Sequence, residues 1–416
     1  MWPTVRARSR FLPAALPRRL PGNAPRLQLL ALAALAAGVA LGGLVDASAL
    51  VGTDGYLFGA GLLLAVGLYG STSGIDRREL RADLPGVVVA VTLGVGLKAA
   101  LIAAVMVFSF GRPEYLILGI AVAQIDPLSV AALGADGRMS PRARSLLRAW
   151  AAFDDPVTVL LALYAVGWAH AAAGRPGTAS LAAGGAHGYV VGLLLNGALL
   201  AAVLLLWWAG RRAAERWRPP RPVSVRGHSV ELLPAALLVV ALLVVAAQGM
   251  LMLAVALAGL VVRTPAFERA VGRAVDGAFL TAALALGMLL AHGVRPLEGI
   301  VLGAAAFAAQ AVVALLVVPR CVRGLDRRDR IALGLGQQNG ITAVLIALGL
   351  ERDFPGTAGI VGPAILTVNL LYAAGQALRT GPARPRGRPR VPVEPDAGQR
   401  RPPGYAKKPV AGPANS

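Results

Sequence analysis

Apolar residues along this chain come in runs of about 20, each closed by a short polar connection, and that run length matches the hydrocarbon core of a bilayer. The runs predict twelve membrane-spanning helices, at 27–45, 53–71, 85–108, 114–134, 145–169, 188–209, 231–248, 249–263, 275–292, 297–318, 330–350 and 358–378. The least defined boundary lies between the seventh and eighth spans, joined tightly near Gln248-Gly249. The expected fold class is an all-α polytopic membrane protein. Residues 1–26 carry six arginines, no acid and several prolines. They read as a basic cytoplasmic tail, because the run that follows is long enough to span and lacks a clear signal-cleavage site. Residues 379–416, rich in Pro, Arg and Gly, read as a disordered cytoplasmic tail, leaving 27–378 as the transmembrane domain.

The connections set the orientation. Arginines cluster after the even-numbered spans: Arg77, Arg78 and Arg81, then Arg138, Arg142 and Arg144, with further groups after spans six, eight and ten. The alternate connections carry few, such as Arg112, Arg175, Arg295 and Arg352. Positive-inside bias then places both termini in the cytoplasm of a multi-pass protein of the plasma (inner) membrane. Composition agrees: of 416 residues 56% are hydrophobic and only 15% charged. The net charge of +20 does not point to nucleic acid, because the arginines sit in loops and tails and not along one face of a soluble element. The single cysteine, Cys321, excludes an intrachain disulfide, and four scattered histidines offer no expected metal centre; no cofactor is expected.

Four ionisable residues break the apolar pattern. Asp154 and Asp155 stand side by side in the fifth span, Asp126 precedes a proline in the fourth, and Lys98 lies in the third. Counting along their spans brings all four near mid-membrane depth. Uncompensated they would cost on the order of 10 kcal/mol, so they must pair, neutralise or meet water. A Lys–Asp pair would account for one carboxylate and leaves surplus acid. A carboxylate among like charges in low dielectric holds either a proton or a metal cation, and that competition is the chemistry of cation/proton exchange. Hard alkali ions take oxygen ligands, which makes Ser129, Thr158 and Asn339 candidate neutral contributors.

A repeat surrounds this site. Gln124-Ile125-Asp126-Pro127-Leu128-Ser129-Val130 is echoed by Gln337-Gln338-Asn339-Gly340-Ile341-Thr342-Ala343, 213 residues later. Each copy has Gln, then Asp or Asn, a helix breaker, an aliphatic residue and a small hydroxyl. Spans three to five therefore correspond to spans ten to twelve, which enter the membrane from the opposite side. Pro127 and Gly340 predict local unwinding of both segments. Inverted repeats with interrupted helices at matching positions point to a transporter binding site at the midplane.

On these residues the chain resembles the monovalent cation:proton antiporter superfamily, in its sodium/hydrogen exchanger-like form, over about residues 27–378. The resemblance rests on Asp126-Pro127, on Asp154-Asp155-Pro156-Val157, on Gly67-Leu68-Tyr69-Gly70 with Ile75-Asp76-Arg77-Arg78-Glu79-Leu80, and on the Gly/Gln-rich eleventh span. It implies two inverted repeats with crossed, interrupted helices, a core that moves against a dimerisation domain, and hence a homodimer in the lipid membrane. It implies Asp155 as the principal site for cation and proton, with Asp126 as the acid of the crossing helix, so that the transported monovalent cation meets Asp155 and Asp126. An acidic pair looks like the electrogenic branch, where a tenth-span lysine is expected; here that position is Gln310. Lys98 lies in the pseudo-symmetric region (98 + 213 = 311), which suggests that it compensates charge from the opposite repeat. The expected function is exchange of Na⁺ or K⁺ for H⁺ by alternating access, with transport and not enzymatic chemistry as the activity. Two alternatives stand beside it: a sodium-coupled organic-anion symporter of the same fold, and a non-transporting membrane sensor.

Overall fold

The computed structural model describes residues 24–45, 47–75, 84–125, 139–175, 177, 179, 188–216, 228–263, 268–322 and 324–380. Within them the chain is helical, without strands. In order the helices are α1 (Ala24–Gly42), α2 (Ala47–Val51), α3 (Asp54–Ser73), α4 (Leu84–Val89), α5 (Val95–Phe110), α6 (Leu116–Ala121), α7 (Pro141–Ala172) and α8 (Gly188–Arg216). They continue with α9 (His228–Gly249), α10 (Met252–Val261), α11 (Glu268–Leu290), α12 (Pro296–Val312), α13 (Val318–Cys321), α14 (Arg327–Gly334), α15 (Ile341–Leu350) and α16 (Thr357–Thr380). Each of the twelve expected spans contains helix, and seven helical stretches among the described residues are long and apolar enough to cross a membrane unaided. Only a helix satisfies its own backbone in hydrocarbon, which is why apolar runs of this length take that form.

Burial separates centre from rim. In α7, 65% of the apolar window is buried inside the protein, against 17% in α8. Val190, Leu194 and Leu205 of α8 are exposed, as a lipid-facing helix requires. α7 therefore runs through the middle of the bundle and carries the acidic pair with it. Its start is set by Ser140, whose Oγ accepts the Ala143 N–H at 3.1 Å, with Pro141 in the first turn. Ser140 also binds Asp329 of α14 through both its N–H (2.9 Å) and its hydroxyl (2.6 Å), which couples the two elements.

Where helices approach most closely, glycine makes it possible. Gly299 and Gly303 of α12 lie against α16, and a Cβ on either would sit 2.6 Å from a carbonyl, that of Ile360 or of Ala364. Gly38 and Gly42 of α1 meet α11 in the same way. Between α9 and α10 the chain turns at Met250, which takes a left-handed φ of 51°. The eighth span is shorter than expected, beginning at Met252 and not at 249. Its N-terminus is capped from α8, where the buried Asn196 accepts the Ala254 N–H at 2.9 Å. At the start of α16, Glu351 accepts the N–H groups of Gly356 (2.5 Å) and Ala358 (2.7 Å). Burial pushes its carboxyl above the ordinary carboxylate range, against the opposing pull of those two amides and of Arg295.

Two spans are interrupted. Helix α6 stops at Ala121, and residues 122–125 are non-helical; α14 stops at Gly334, and residues 335–340 are non-helical before α15. The first break opens five residues ahead of Pro127, which itself lies outside the described residues, as do both expected tails apart from residues 24–26 and 379–380. The breaks touch. Gln337 Nε2 donates to Gln124 O at 2.8 Å, and Asn339 Nδ2 donates to Val122 O at 3.0 Å. Side-chain amides of one repeat thus take up carbonyls that unwinding has freed in the other, the condition for irregular backbone at this depth.

If the α12–α16 approach is as close as this, Gly303→Val should overpack it and lower stability by about 1–3 kcal/mol, read as the melting temperature in detergent. Gly197→Ala on α8, where the added Cβ meets nothing within 4 Å, should not lower the melting temperature.

Candidate ion-binding site

Lys98, Asp154 and Asp155 are brought together in the core, with Lys98 and Asp154 fully buried and Asp155 4% exposed. Lys98 Nζ lies 2.8 Å from Asp154 Oδ2 and 3.2 Å from Gln310 Oε1, and 5.5 Å above the ring of the buried Trp150. Its ammonium has three donors. One meets a carboxylate, one an amide oxygen, and the indole supplies a cation–π face. Gln310 is itself oriented, donating from Nε2 to Leu333 O at 3.0 Å, in the last turn of α14. Asp154 Oδ2 accepts a second hydrogen bond, from the Ile125 N–H at 2.8 Å. One carboxylate oxygen therefore holds both the ammonium and the broken backbone of the fourth span.

Local helix irregularities frame this pair. A π-helical turn, Ala90–Gly94, ends four residues before Lys98, and another, Val313–Val317, begins three residues after Gln310. A Cβ at Gly94 would come within 3.3 Å of the Trp150 ring, so glycine lets the π turn close on the indole. Such turns rotate the side chains that follow them and recur at functional positions. Within α7, Pro156 has no N–H to return to the Ala152 carbonyl, which loosens the helix just beyond the acidic pair.

Asp155 points to a different neighbour. Ser71 Oγ, at the end of α3, donates to Asp155 Oδ2 at a long 3.5 Å. Thr158, one turn beyond Asp154, is fully buried. Asn339 is 3% exposed and its amide is engaged at the crossing, donating to Val122 O and accepting from Gln337 Nε2 at 2.7 Å. Asp126 and Ser129 lie outside the described residues. Ser71 was not among the residues singled out from the sequence. The signal was present in Ser71-Thr72-Ser73, three hydroxyls closing an otherwise apolar span, but a polar helix end is also what an interface produces.

These features define a polytopic helical membrane protein with ionisable side chains paired at its centre. Residues 11–378 match the family described as "Sodium/hydrogen exchanger, transmembrane", and the chain belongs to it. The family consists of transporters and not enzymes, and exchange of a cation against the proton is its activity. Among solved structures the chain is similar to the sodium proton antiporter MjNhaP1 from Methanocaldococcus jannaschii at pH 8. The TM-score is 0.49 and the identity 15%, over 84% of this chain and 95% of that one. No curated protein matches the chain.

Removing one member of the buried pair leaves the other charge uncompensated, so Lys98→Met is expected to lower stability by about 3–5 kcal/mol. Adding Asp154→Asn, which keeps an oxygen for the Ile125 N–H, should restore most of that loss. Melting temperatures of the single and double variants check the pairing; a double variant less stable than Lys98→Met would contradict it.

Proposed function

We propose that this chain is a secondary active antiporter that exchanges Na⁺ or K⁺ for H⁺ by alternating access at Asp155. The observation that carries the reading is the buried Lys98–Asp154 pair, joined to the interrupted fourth span and immediately followed by Asp155. Lys98 stabilises the charge of Asp154, and Asp155 is the carboxylate at which proton and cation compete. Either occupant neutralises it in a low-dielectric surrounding, while both together are disfavoured. Outward opening exposes Asp155 to one bulk phase and inward opening to the other, so the two gradients are coupled.

The Asp126-Pro127 sequence pattern supports Asp126 as the acid of the crossing segment, with Ser129 and Thr158 as candidate neutral contributors. Asn339 acts through the crossing it holds together. The alternating basic connections support both termini in the cytoplasm of a plasma (inner) membrane protein, and membership of the exchanger family is the ground for a homodimer.

In everted vesicles carrying a pH-sensitive dye, addition of Na⁺ or K⁺ should produce cation-dependent proton movement with the wild-type protein. Asp155→Asn should reduce the rate by more than about tenfold, equivalent to at least about 1.4 kcal/mol in the barrier to transport. Absence of cation-dependent proton movement in the wild type would overturn the antiport reading. Lys98→Ala is expected to reduce the rate and alter its pH profile. An unchanged profile would remove Lys98 from the mechanism while leaving antiport intact.

A further inference from the structure

Gln124 and Gln337 occupy the same position in the two repeats, 213 residues apart, and both are fully buried. They are used differently. Gln337 Nε2 is committed to the crossing, with Gln124 O at 2.8 Å, Asn339 Oδ1 at 2.7 Å and Val122 O at a longer 3.4 Å. The Gln124 side chain makes no hydrogen bond among the described residues, at either Oε1 or Nε2. A buried amide left so costs about 1–3 kcal/mol by mutational measure and calls for a reason. Its place supplies one. The next residue, Ile125, donates its N–H to Asp154 Oδ2, so the Gln124–Ile125 backbone lies against the acidic pair.

Helix α7, which the Ile125 N–H meets at Asp154, carries unpartnered polar atoms of its own. Asp154 Oδ1 and Thr158 Oγ1 are buried without a hydrogen-bond partner among the described residues. Threonine hydroxyls in other helices of this protein bond back to the carbonyl four residues earlier: Thr72 to Leu68 (3.0 Å), Thr92 to Val88 (2.7 Å), Thr281 to Gly277 (3.0 Å) and Thr367 to Pro363 (2.9 Å). Thr158 does not. It follows Asp154 by four residues and Asp155 by three, the spacing that shares a helical face.

We infer that Gln124 is a neutral oxygen ligand of the transported monovalent cation, its Oε1 acting with Thr158 Oγ1 beside the carboxylates. The inference rests on the antiport reading and deepens it. A cation that sheds its water needs several oxygens, and adding them as carboxylates would favour the competing proton. An amide oxygen ligates the cation and does not titrate, so it raises cation affinity without offering another proton site. The repeat thus keeps one glutamine to hold the crossing and turns the other to the cargo.

The test is cation-dependent proton movement in everted vesicles with Gln124→Leu, titrated separately with Na⁺, Li⁺ and K⁺. The half-maximal cation concentration should rise about tenfold, with the order or spacing of the three cations altered and the maximal rate largely retained. Unchanged half-maximal concentrations and unchanged selectivity would overturn the assignment. So would a purely structural pattern, in which the maximal rate falls equally for all three cations. Gln124→Met is read in the same way where Gln124→Leu does not fold. Loss of folding in both would also count against a ligand role, since a side chain with no partner in the fold should hold none of it together. Wild-type protein that moves no protons would defeat the antiport proposal itself, a result distinct from any of these.

Discussion

The arrangement depends on one oxygen atom. Asp154 Oδ2 accepts from the Lys98 ammonium and from the Ile125 N–H, both at 2.8 Å. The first bond neutralises a carboxylate that would otherwise be expensive at this depth. The second anchors the unwound end of the fourth span, whose amide would otherwise face an apolar core. Gln310 extends the connection from Lys98 to Leu333 O, in the last turn of the half-helix that precedes the eleventh-span break. Both interrupted spans are therefore tied to a single ion pair.

The two repeats contribute unequally to that centre. Lys98 comes from the first and Gln310, near its pseudo-symmetric position, from the second, and they share one hydrogen bond. The Gln337 side chain fastens the crossing while the Gln124 side chain does not. An inverted repeat supplies the same backbone frame twice, but a transported ion needs an asymmetric set of charges and neutral oxygens within it. Substitution at repeat-related positions gives that asymmetry without disturbing the breaks, because the backbone carbonyls of Val122 and Gln124 are met by side chains from the other copy.

Much of this was legible beforehand, and the reasons differ by element. Span positions followed from apolar run length, since bilayer thickness leaves little freedom. That Lys98 pairs with a carboxylate followed from the cost of leaving mid-membrane charges unpaired, but that the partner is Asp154 is visible only in the packed structure. The breaks were signalled by Pro127 and Gly340, but their extent was not. Unwinding from residue 122 depends on amides 213 and more residues away, which no local propensity reports. Asn339 reads as a cation ligand in sequence because Asn and Asp occupy equivalent places; in space its amide is taken by Val122 O and Gln337. Ser71 reaches Asp155 through the packing of α3 against α7, and Asn196 caps α10 from another helix, contacts that depend on tertiary placement alone.

The central claim is that proton and cation compete for Asp155. The most direct measurement is proton release from purified, weakly buffered protein on addition of Na⁺ or K⁺, at a pH where the wild type transports. The account predicts release that saturates with cation concentration, diminishes as pH is raised until the site is already deprotonated, and is lost in Asp155→Asn. Saturable cation binding with no proton release at any pH, or release undiminished in Asp155→Asn, would contradict it.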